Sequence, residues 1–202
     1  MPSLQQQFGN IDIYLFDQLL RGNLVPGMRV LDAGCGSGRN LVYLLRKGYE
    51  VFGVDDNPEA ISQTRSLASA LVPNFPVENL RHERIESISF RDASFDAVLS
   101  NAVLHFSSED ARFTAMLNSM WRVLKPGGLL FCRLASTIGM PHQHIEGRRF
   151  VAPDGAERYC VDEALLMNLT AKLGGQLVDP LKTTVVQNQR CMTTWVVRKN
   201  PS

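Results

Sequence analysis

The sequence predicts an α/β fold, a doubly wound and mainly parallel sheet with helices on both faces. Strand-like apolar runs alternate with segments of helical periodicity through the first five strands, which is typical of consecutive strand–helix units. Two late strands, 183–187 and 192–198, lie close enough to form a hairpin, which adds an antiparallel edge. The 202 residues suit one domain with a sizeable core.

The elements follow in order from apolar spacing and turn residues. A helix is predicted over 11–20, where apolar residues recur at helical intervals, and Gly22 suits its end. Apolar runs predict further strands, and Pro58 suits the first turn of a helix that ends before Pro73 and Pro76. The strands are expected at 28–33, 50–54, 79–84, 95–100 and 129–134, and the helices at 38–46, 58–70, 107–124 and 161–173.

Caps and turns complete this prediction. Ser108 and Asp162 are expected to cap the last two helices, and residues 125–128 read as a turn. Residues 135–159 show no clear periodicity, so we expect a long loop or insertion that acts as a lid.

Composition narrows the function classes. The chain is 45% hydrophobic and 20% charged, with a net charge of +1, which is typical of a globular protein without a general affinity for nucleic acid or membrane. No apolar run reaches the roughly 18 residues of a membrane span, and no signal peptide is expected. The four cysteines form no Cys-x-x-Cys pair, so we expect reduced core thiols in a cytoplasmic protein: Cys35, Cys132, Cys160 and Cys191.

Asp32, Gly34, Gly36 and Gly38 follow the first strand in the pattern Asp-x-Gly-x-Gly-x-Gly. Glycine is needed where a Cβ would clash or where the backbone adopts a conformation other residues avoid. Such a loop between a strand and a helix either is a structural turn or lets a nucleotide-like ligand approach the backbone.

Asp55 ends the second strand, 23 positions after Asp32. An acid at this distance in a strand–helix–strand unit accepts hydrogen bonds from ribose hydroxyls. The alternative is a helix-capping role ahead of Pro58, which Asp56 or Asn57 would serve equally well. The loop and Asp55 together favour nucleoside binding.

The ligand is not expected to be a dinucleotide. Gly34 and Gly36 match the first two positions of Gly-x-Gly-x-x-Gly, but Arg39 occupies the third. Asp32 would also repel a pyrophosphate, whereas it suits a cationic or amine-bearing ligand.

Four ordered motifs resemble those of class I S-adenosylmethionine-dependent methyltransferases. They are the glycine loop 31–38, the acidic segment 53–58, the fourth-strand segment 94–101 and the turn 123–128. The resemblance covers about residues 28–134. It implies a Rossmann-like, seven-stranded sheet of order 3-2-1-4-5-7-6 with strand 7 antiparallel.

The resemblance also implies S-adenosylmethionine as cofactor and S-adenosylhomocysteine as product. Gly34 and Gly36 would admit the methionine part, Asp32 would orient its amino group directly or through water, and Asp55 would hold the ribose. The cofactor-binding residues expected in this way are Asp32, Gly34, Cys35, Gly36, Asp55, Asp56, Glu83, Arg84, Ile85 and Asn101.

Arg84 stands where relatives often carry an acid that binds the adenine amine. Two alternatives remain open. In the first, the motif is shifted by one residue and Glu83 is the acid that binds the adenine amine. In the second, the Ile85 backbone N–H binds the adenine ring while Arg84 packs nearby. Glu83 would otherwise be a solvated charge.

The remaining candidate residues concern the molecule that would accept the methyl group. His105 is either a general base or a packed histidine, and Tyr14 and Arg39 are candidate pocket residues. The arginines at 148, 149 and 158 either bind an anionic substrate or are solvated. His142, His144 and Glu146 read as an incidental polar cluster rather than a metal site. Met116 is expected in the core.

These observations predict methyl transfer to a small-molecule acceptor by in-line displacement. The alternative is a non-catalytic cofactor-binding protein with a regulatory or partner role. Residues 100–103 lack the Asn/Asp-Pro-Pro-aromatic tetrad of many base-methylating enzymes, and nothing indicates a membrane partner. One domain is expected, comprising a helical cap (1–27), a cofactor-binding core (28–134), a lid or insertion (135–160) and a C-terminal helix with a strand hairpin (161–202).

Overall fold

The computed structural model describes residues 3–140, 143–151, 155–187 and 189–201. The helices are α1 (Leu4–Phe8), α2 (Ile13–Leu20), α3 (Val42–Arg46), α4 (Pro58–Leu71), α5 (Asp110–Val123) and α6 (Glu163–Lys172). The strands are β1 (Arg29–Ala33), β2 (Glu50–Asp55), β3 (Leu80–His82), β4 (Phe95–Asn101), β5 (Leu124–Ala135), β6 (Gln143–Glu146), β7 (Arg149–Val151), β8 (Glu157–Tyr159), β9 (Gly175–Leu177), β10 (Lys182–Val186) and β11 (Arg190–Lys199).

The main sheet has the order β3-β2-β1-β4-β5-β11-β10. Pairing is parallel from β3 to β5, and β11 runs antiparallel to both β5 and β10. This confirms the predicted order 3-2-1-4-5-7-6, since β10 and β11 are the sixth and seventh predicted strands. The carboxyl ends of β1, β2 and β4 therefore lie side by side, where open α/β sheets bind ligands.

Alternating strand residues supply a core on each face of the sheet. Val30 of β1 packs with residues of α2, α3 and α4, whereas Leu31 packs with residues of α5 and α6. Successive side chains of a strand point to opposite faces, so a strand buried on both faces is apolar throughout. This confirms the predicted helices on both sides.

A short strand, β9, was not predicted. It pairs with β11 beyond the end of β10. Gly174 and Gly175 indicate a helix end, but Gly175 also begins this strand. A Cβ on Gly175 would lie 2.5 Å from Val197 Cγ1 and 2.9 Å from Trp121 Cη2, so the glycine permits a close backbone approach.

Several predicted boundaries were wrong. Helix α3 begins at Val42 rather than residue 38, because residues 39–41 form a turn. Ser108 does not cap α5, which begins at Asp110 without a side-chain cap. Asp162 does cap α6, since its Oδ1 accepts a hydrogen bond from Leu165 N at 2.7 Å.

Residues 135–159 contain a small antiparallel sheet, β6-β7-β8, separate from the main sheet. Of the two predicted alternatives, a long loop or an insertion, the long loop without secondary structure was wrong. The strands of this small sheet have three or four residues each, too few for a recognisable alternation. Tyr159 anchors β8 to α5, because its ring stacks on Phe113 at 4.6 Å and its hydroxyl donates to Asp110 at 2.8 Å. The predicted turn at 125–128 also lies within a strand, β5, where the pairing with β4 shifts register.

The four cysteines are buried and unpaired, as expected for core thiols. Over the described parts of the chain, no helix combines the length and apolar character that crossing a membrane requires.

Candidate functional site

Backbone hydrogen bonds hold the glycine loop against the end of β2. Gly34 N and Cys35 N both donate to Val54 O, at 2.8 and 3.1 Å. A Cβ on Gly34 would lie 2.4 Å from Val103 Cγ2, whereas a Cβ on Gly36 would point into open space. Both glycines have positive φ, 87° and 53°. Position 34 therefore needs a glycine because the Val103 side chain leaves no space for a Cβ. At position 36 the glycine leaves open space beside the loop.

Asp32 is a buried carboxylate without a partner. The residue is 1% exposed, and neither carboxylate oxygen has a hydrogen-bond partner among the described residues. Burial raises the pKa of Asp32 to about 7; the Asp55 carboxylate adds to this rise and the Arg39 guanidinium opposes it. A buried polar group without a partner is unfavourable, so this site suits a donor or cation supplied by a ligand.

Asp55 joins the loop to the end of β2. Its Oδ2 accepts a hydrogen bond from Gly36 N at 2.8 Å, and its Oδ1 accepts one from Asn57 N at 3.0 Å. Asn57, not Asp55 or Asp56, caps α4 through Glu59 N at 2.9 Å. Each carboxylate oxygen has a second lone pair, so Asp55 retains capacity for ligand hydroxyls.

A cavity of about 470 Å³ opens at this edge of the sheet. Eight predicted site residues line it: Gly34, Cys35, Gly36, Arg39, Asp55, Asp56, Ile85 and Asn101. Sequence reasoning missed several others, including Asn40, Glu86, Val103, Phe106, Arg112 and Met116. Arg112 and Met116 lie one turn apart on α5, so their spacing indicated a shared face but not which ligand it meets.

The three residues predicted to contact adenine differ in whether they line the first cavity. Glu83 does not line the cavity, because its carboxylate accepts hydrogen bonds from Ser89 N at 2.9 Å and Ser89 Oγ at 2.5 Å. Arg84 is exposed and pairs with Glu86 at 3.3 Å. Only Ile85, of the three candidates, lies on the cavity wall.

Glu86 lies next to Ile85 on the wall. Its Oε1 accepts a hydrogen bond from Arg112 Nε at 2.6 Å. Burial opposes ionisation, but backbone donors and the guanidinium groups of Arg112 and Arg84 hold the pKa of Glu86 below its usual value. An anionic acceptor of hydrogen bonds therefore stands beside Ile85.

A second cavity, of about 560 Å³, adjoins the first. Arg39 and Ala102 line both. Residues from the start of α2, the ends of β5 and β8 and the start of β11 complete its wall, among them Asp12, Arg133, Arg158, Arg190 and Met192. Two chambers that share a boundary suit a donor and an acceptor held side by side.

Tyr14 and Arg39 contribute differently to this second cavity. Arg39 lies at the boundary and donates to Asn101 Oδ1 at 3.0 Å. Tyr14 is not on the wall; its ring lies 5.1 Å from the Arg133 guanidinium, and its hydroxyl bonds to Thr184 Oγ1. Tyr14 therefore supports an arginine of the pocket rather than facing the pocket itself.

His105 lines the second cavity but is poorly placed to act as a general base. Its Nδ1 accepts a hydrogen bond from Ala135 N at 3.3 Å, so the neutral ring carries its proton on Nε2. Burial, with a contribution from Arg158, lowers the pKa of His105 to about 4. The geometry favours the packed histidine of the two predicted alternatives, with Nε2–H available as a donor.

We expect His105 to make the fold sensitive to acid. The unfolded chain takes up this proton near pH 6.5 and the folded chain only near pH 4, so stability falls as the pH drops through that interval. The loss amounts to about 3 kcal/mol at most. Urea titrations at pH 7 and pH 4.5 should show a smaller acid-induced loss for His105→Gln than for the wild type. An equal loss in both proteins would contradict the prediction.

Most of the other candidate substrate- or metal-binding side chains in residues 135–160 already have partners within the protein. Arg148 pairs with Asp162 at 2.9 Å, and Arg149 pairs with Glu157. His144 Nε2 contacts Gly147 O at 3.0 Å, and His142 lies outside the described residues. No group of three or more metal-binding side chains occurs within the described ranges.

Comparison with known proteins identifies the family. Residues 31–132, half of the chain, match the family model described as a methyltransferase domain. An uncharacterized methyltransferase of Synechocystis is 34% identical over 116 residues, covering 56% of this chain and 51% of the relative. A ubiquinone biosynthesis O-methyltransferase of Methylocella silvestris is 36% identical over 109 residues, covering 53% and 40%. The chain thus spans about half the length of these relatives or less.

A solved structure supports the same assignment at the level of the fold. A S-adenosylmethionine-dependent methyltransferase from Methanosarcina mazei superposes with a TM-score of 0.73, covering 91% of this chain and 98% of that chain, at 23% identity. The matched segment includes the glycine loop, Asp55 and the whole of β4. The chain therefore belongs to the class I S-adenosylmethionine-dependent methyltransferases, the family whose cofactor is S-adenosylmethionine.

Proposed function

We propose that this chain binds S-adenosylmethionine in the first cavity and transfers its methyl group to a small molecule in the second. The observation that carries the proposal is the shared boundary of the two cavities at Arg39 and Ala102. A transfer between two bound molecules needs such adjacency, since donor and nucleophile must approach to about 3–3.5 Å. The name of the Methylocella relative, an O-methyltransferase of ubiquinone biosynthesis, adds support for a small acceptor.

The residues of the first cavity fit this cofactor. Asp32 is buried and is not on the wall of this cavity, but it lies two residues before Gly34, which is. Its unpartnered carboxylate suits an ammonium group, reached directly or through water, and the space beside Gly36 admits the amino-acid part. Asp55, which lines the cavity, would accept hydrogen bonds from ribose hydroxyls. Ile85 would provide the adenine contact, with Glu86 beside it. Glu83, whose oxygens are occupied by Ser89, has no part in this assignment.

The bound cofactor would supply an electrophilic methyl group on a sulfonium, whose departure as a neutral thioether needs no acid. The chain's task is then to position the acceptor and exclude water. His105 has its lone pair engaged by Ala135 N and offers only Nε2–H. We therefore expect an acceptor whose nucleophile is already unprotonated at neutral pH, or one that loses its proton directly to water.

The first test is binding. Titration calorimetry with S-adenosylhomocysteine should show one site per chain, and its absence would overturn the proposal. Turnover is the second test, with methyl-labelled S-adenosylmethionine and a panel of small acceptors. Labelled product supports methyl transfer; tight cofactor binding with no product from any acceptor would favour the non-catalytic alternative.

A further inference from the structure

We propose that the second cavity selects an acceptor carrying an anionic oxygen group, a carboxylate or a phosphate. This inference rests on the proposed function, because it assigns the second cavity to the acceptor. It concerns the wall of the second cavity, where four arginines gather. Two features of the wall support it, and the polar atoms that pair in register with Arg133 add to the second.

The first feature is charge. Four arginines line the second cavity, at positions 39, 133, 158 and 190, and Asp12 is the single acidic residue on the described wall. His105 adds no compensating charge of either sign at neutral pH, since it is buried and neutral there. The wall therefore carries a formal excess of positive charge, although the whole chain is nearly neutral. Such a concentration of one sign in a cleft attracts ligands of the opposite sign.

The second feature is the fixed position of Arg133. Its Nη1 donates to Asp12 Oδ2 at 3.1 Å, and its guanidinium stacks on the Tyr14 ring. Its Nε is buried and has no partner among the described residues. The side chain is 14% exposed, so it presents a preorganised donor rather than a mobile surface charge. Arginine held in this way is well suited to a planar carboxylate or a phosphate.

Arg133 belongs to a row of unpartnered polar atoms across three strands, in which Asn101 lines the first cavity and Thr194 lines neither cavity. Arg133 on β5 pairs in register with Asn101 on β4 and with Thr194 on β11. Asn101 Nδ2 and Thr194 Oγ1 are also buried and lack a partner within the described structure. Two of these three atoms are donors only, and the hydroxyl can donate as well. Buried polar groups are normally satisfied. Of the three residues only Arg133 lies on the wall of the second cavity, so the donor that is left for a ligand there is its guanidinium.

Arg39 and Arg190 extend the positive wall at opposite ends. Within the described residues Arg39 donates to two neutral oxygens, Asn101 Oδ1 at 3.0 Å and Asn10 O at 3.4 Å. Arg190 is exposed at the rim and has no ion pair within the part of the chain that the structure describes. An incoming anion would thus meet Arg190 first, with Arg133 deeper in the cavity and Arg39 next to the cofactor chamber.

The inference is tested by binding to protein saturated with S-adenosylhomocysteine. The probes are matched ligands of similar size, benzoate, phenyl phosphate, benzamide and benzylamine, each titrated by calorimetry or ligand-observed NMR. We expect one or both anions to bind more tightly than benzamide and benzylamine. Arg133→Met and Arg190→Gln should each weaken anion binding by about tenfold or more, the effect of losing a charge-assisted hydrogen bond.

Arg91→Gln is the matched control. It removes one positive charge at an exposed position outside both cavities, and it should leave anion binding unchanged. S-adenosylhomocysteine affinity, measured in every variant, reports on the first cavity separately. If S-adenosylhomocysteine binds normally but no anion is preferred, or if Arg91→Gln weakens binding as much as Arg133→Met, the inference is wrong while the proposed function stands. If S-adenosylhomocysteine itself does not bind, the proposed function fails first.

Discussion

Replacing Asp55 with alanine is expected to weaken S-adenosylhomocysteine binding by about 100-fold or more. Asp55 would accept the ribose hydroxyls, and it also holds Gly36 N at 2.8 Å and Asn57 N at 3.0 Å. The substitution thus removes the ligand contact and the anchor of the glycine loop together. Hydrogen bonds to a charged group contribute about 1.5–3 kcal/mol each, and the loss of two accounts for the expected factor. Titration calorimetry measures it directly.

Two further variants separate these roles. Asp55→Asn keeps one side-chain oxygen that accepts a backbone hydrogen bond but loses the charge. Its affinity for S-adenosylhomocysteine should therefore lie between those of Asp55→Ala and the wild type. Glu59→Ala removes an exposed carboxylate in the first turn of α4 and should change nothing. If Asp55→Ala folds normally and binds with wild-type affinity, the ribose assignment is wrong.

Cofactor binding is expected to depend on pH through Asp32. Burial raises the pKa of this carboxyl to about 7 in the free protein, so it is largely protonated below neutrality. A ligand ammonium beside it favours the ionised form and expels the proton. Affinity should therefore rise with pH, by up to about tenfold per unit below pH 7, and level off above it. Calorimetry at pH 5.5, 6.5 and 8 in buffers of different ionisation enthalpy measures both affinity and proton release.

Asp32→Asn provides the control, because asparagine does not titrate. Its affinity should be low and independent of pH over the same range. A wild-type affinity that does not change between pH 5.5 and pH 8 would contradict the assignment of Asp32 to a cationic group of the ligand.

The same substitution should stabilise the ligand-free protein at alkaline pH. The folded-state pKa of Asp32 lies above the unfolded value of 3.8, so its contribution to stability is lost as the pH rises from about 4 to about 7. The full penalty is on the order of 4 kcal/mol, and a buried unpaired amide costs about 1–3 kcal/mol in return. We expect Asp32→Asn to gain about 1–3 kcal/mol at pH 8 by this balance and to lose that gain near pH 4. Equal unfolding free energies at pH 8 would refute this expectation.

The part of the fold that could be predicted is the part with strong local signals. Strands buried on both faces are apolar throughout, and α4 begins with Pro58 and an Asn57 cap, so both were recognisable. The short strands β6, β7, β8 and β9 were not, because three or four residues show no periodicity. Their strand conformation depends on hydrogen bonds to partners that the sequence does not reveal.

The sequence by itself indicated the family and the residues of the glycine loop, because the four motifs depend on backbone conformation and local spacing. The order of the sheet followed from the resemblance to that family, and the structure confirms it. Only the tertiary structure decided which side chains face a ligand. It turned Glu83 toward Ser89, engaged the His105 lone pair with Ala135 N, and left Asp32 buried without a partner. It also gathered arginines from four distant segments around the second cavity. Burial and hydrogen-bond partners arise from contacts between residues far apart in the chain. The spacing of residues along the sequence therefore does not predict them.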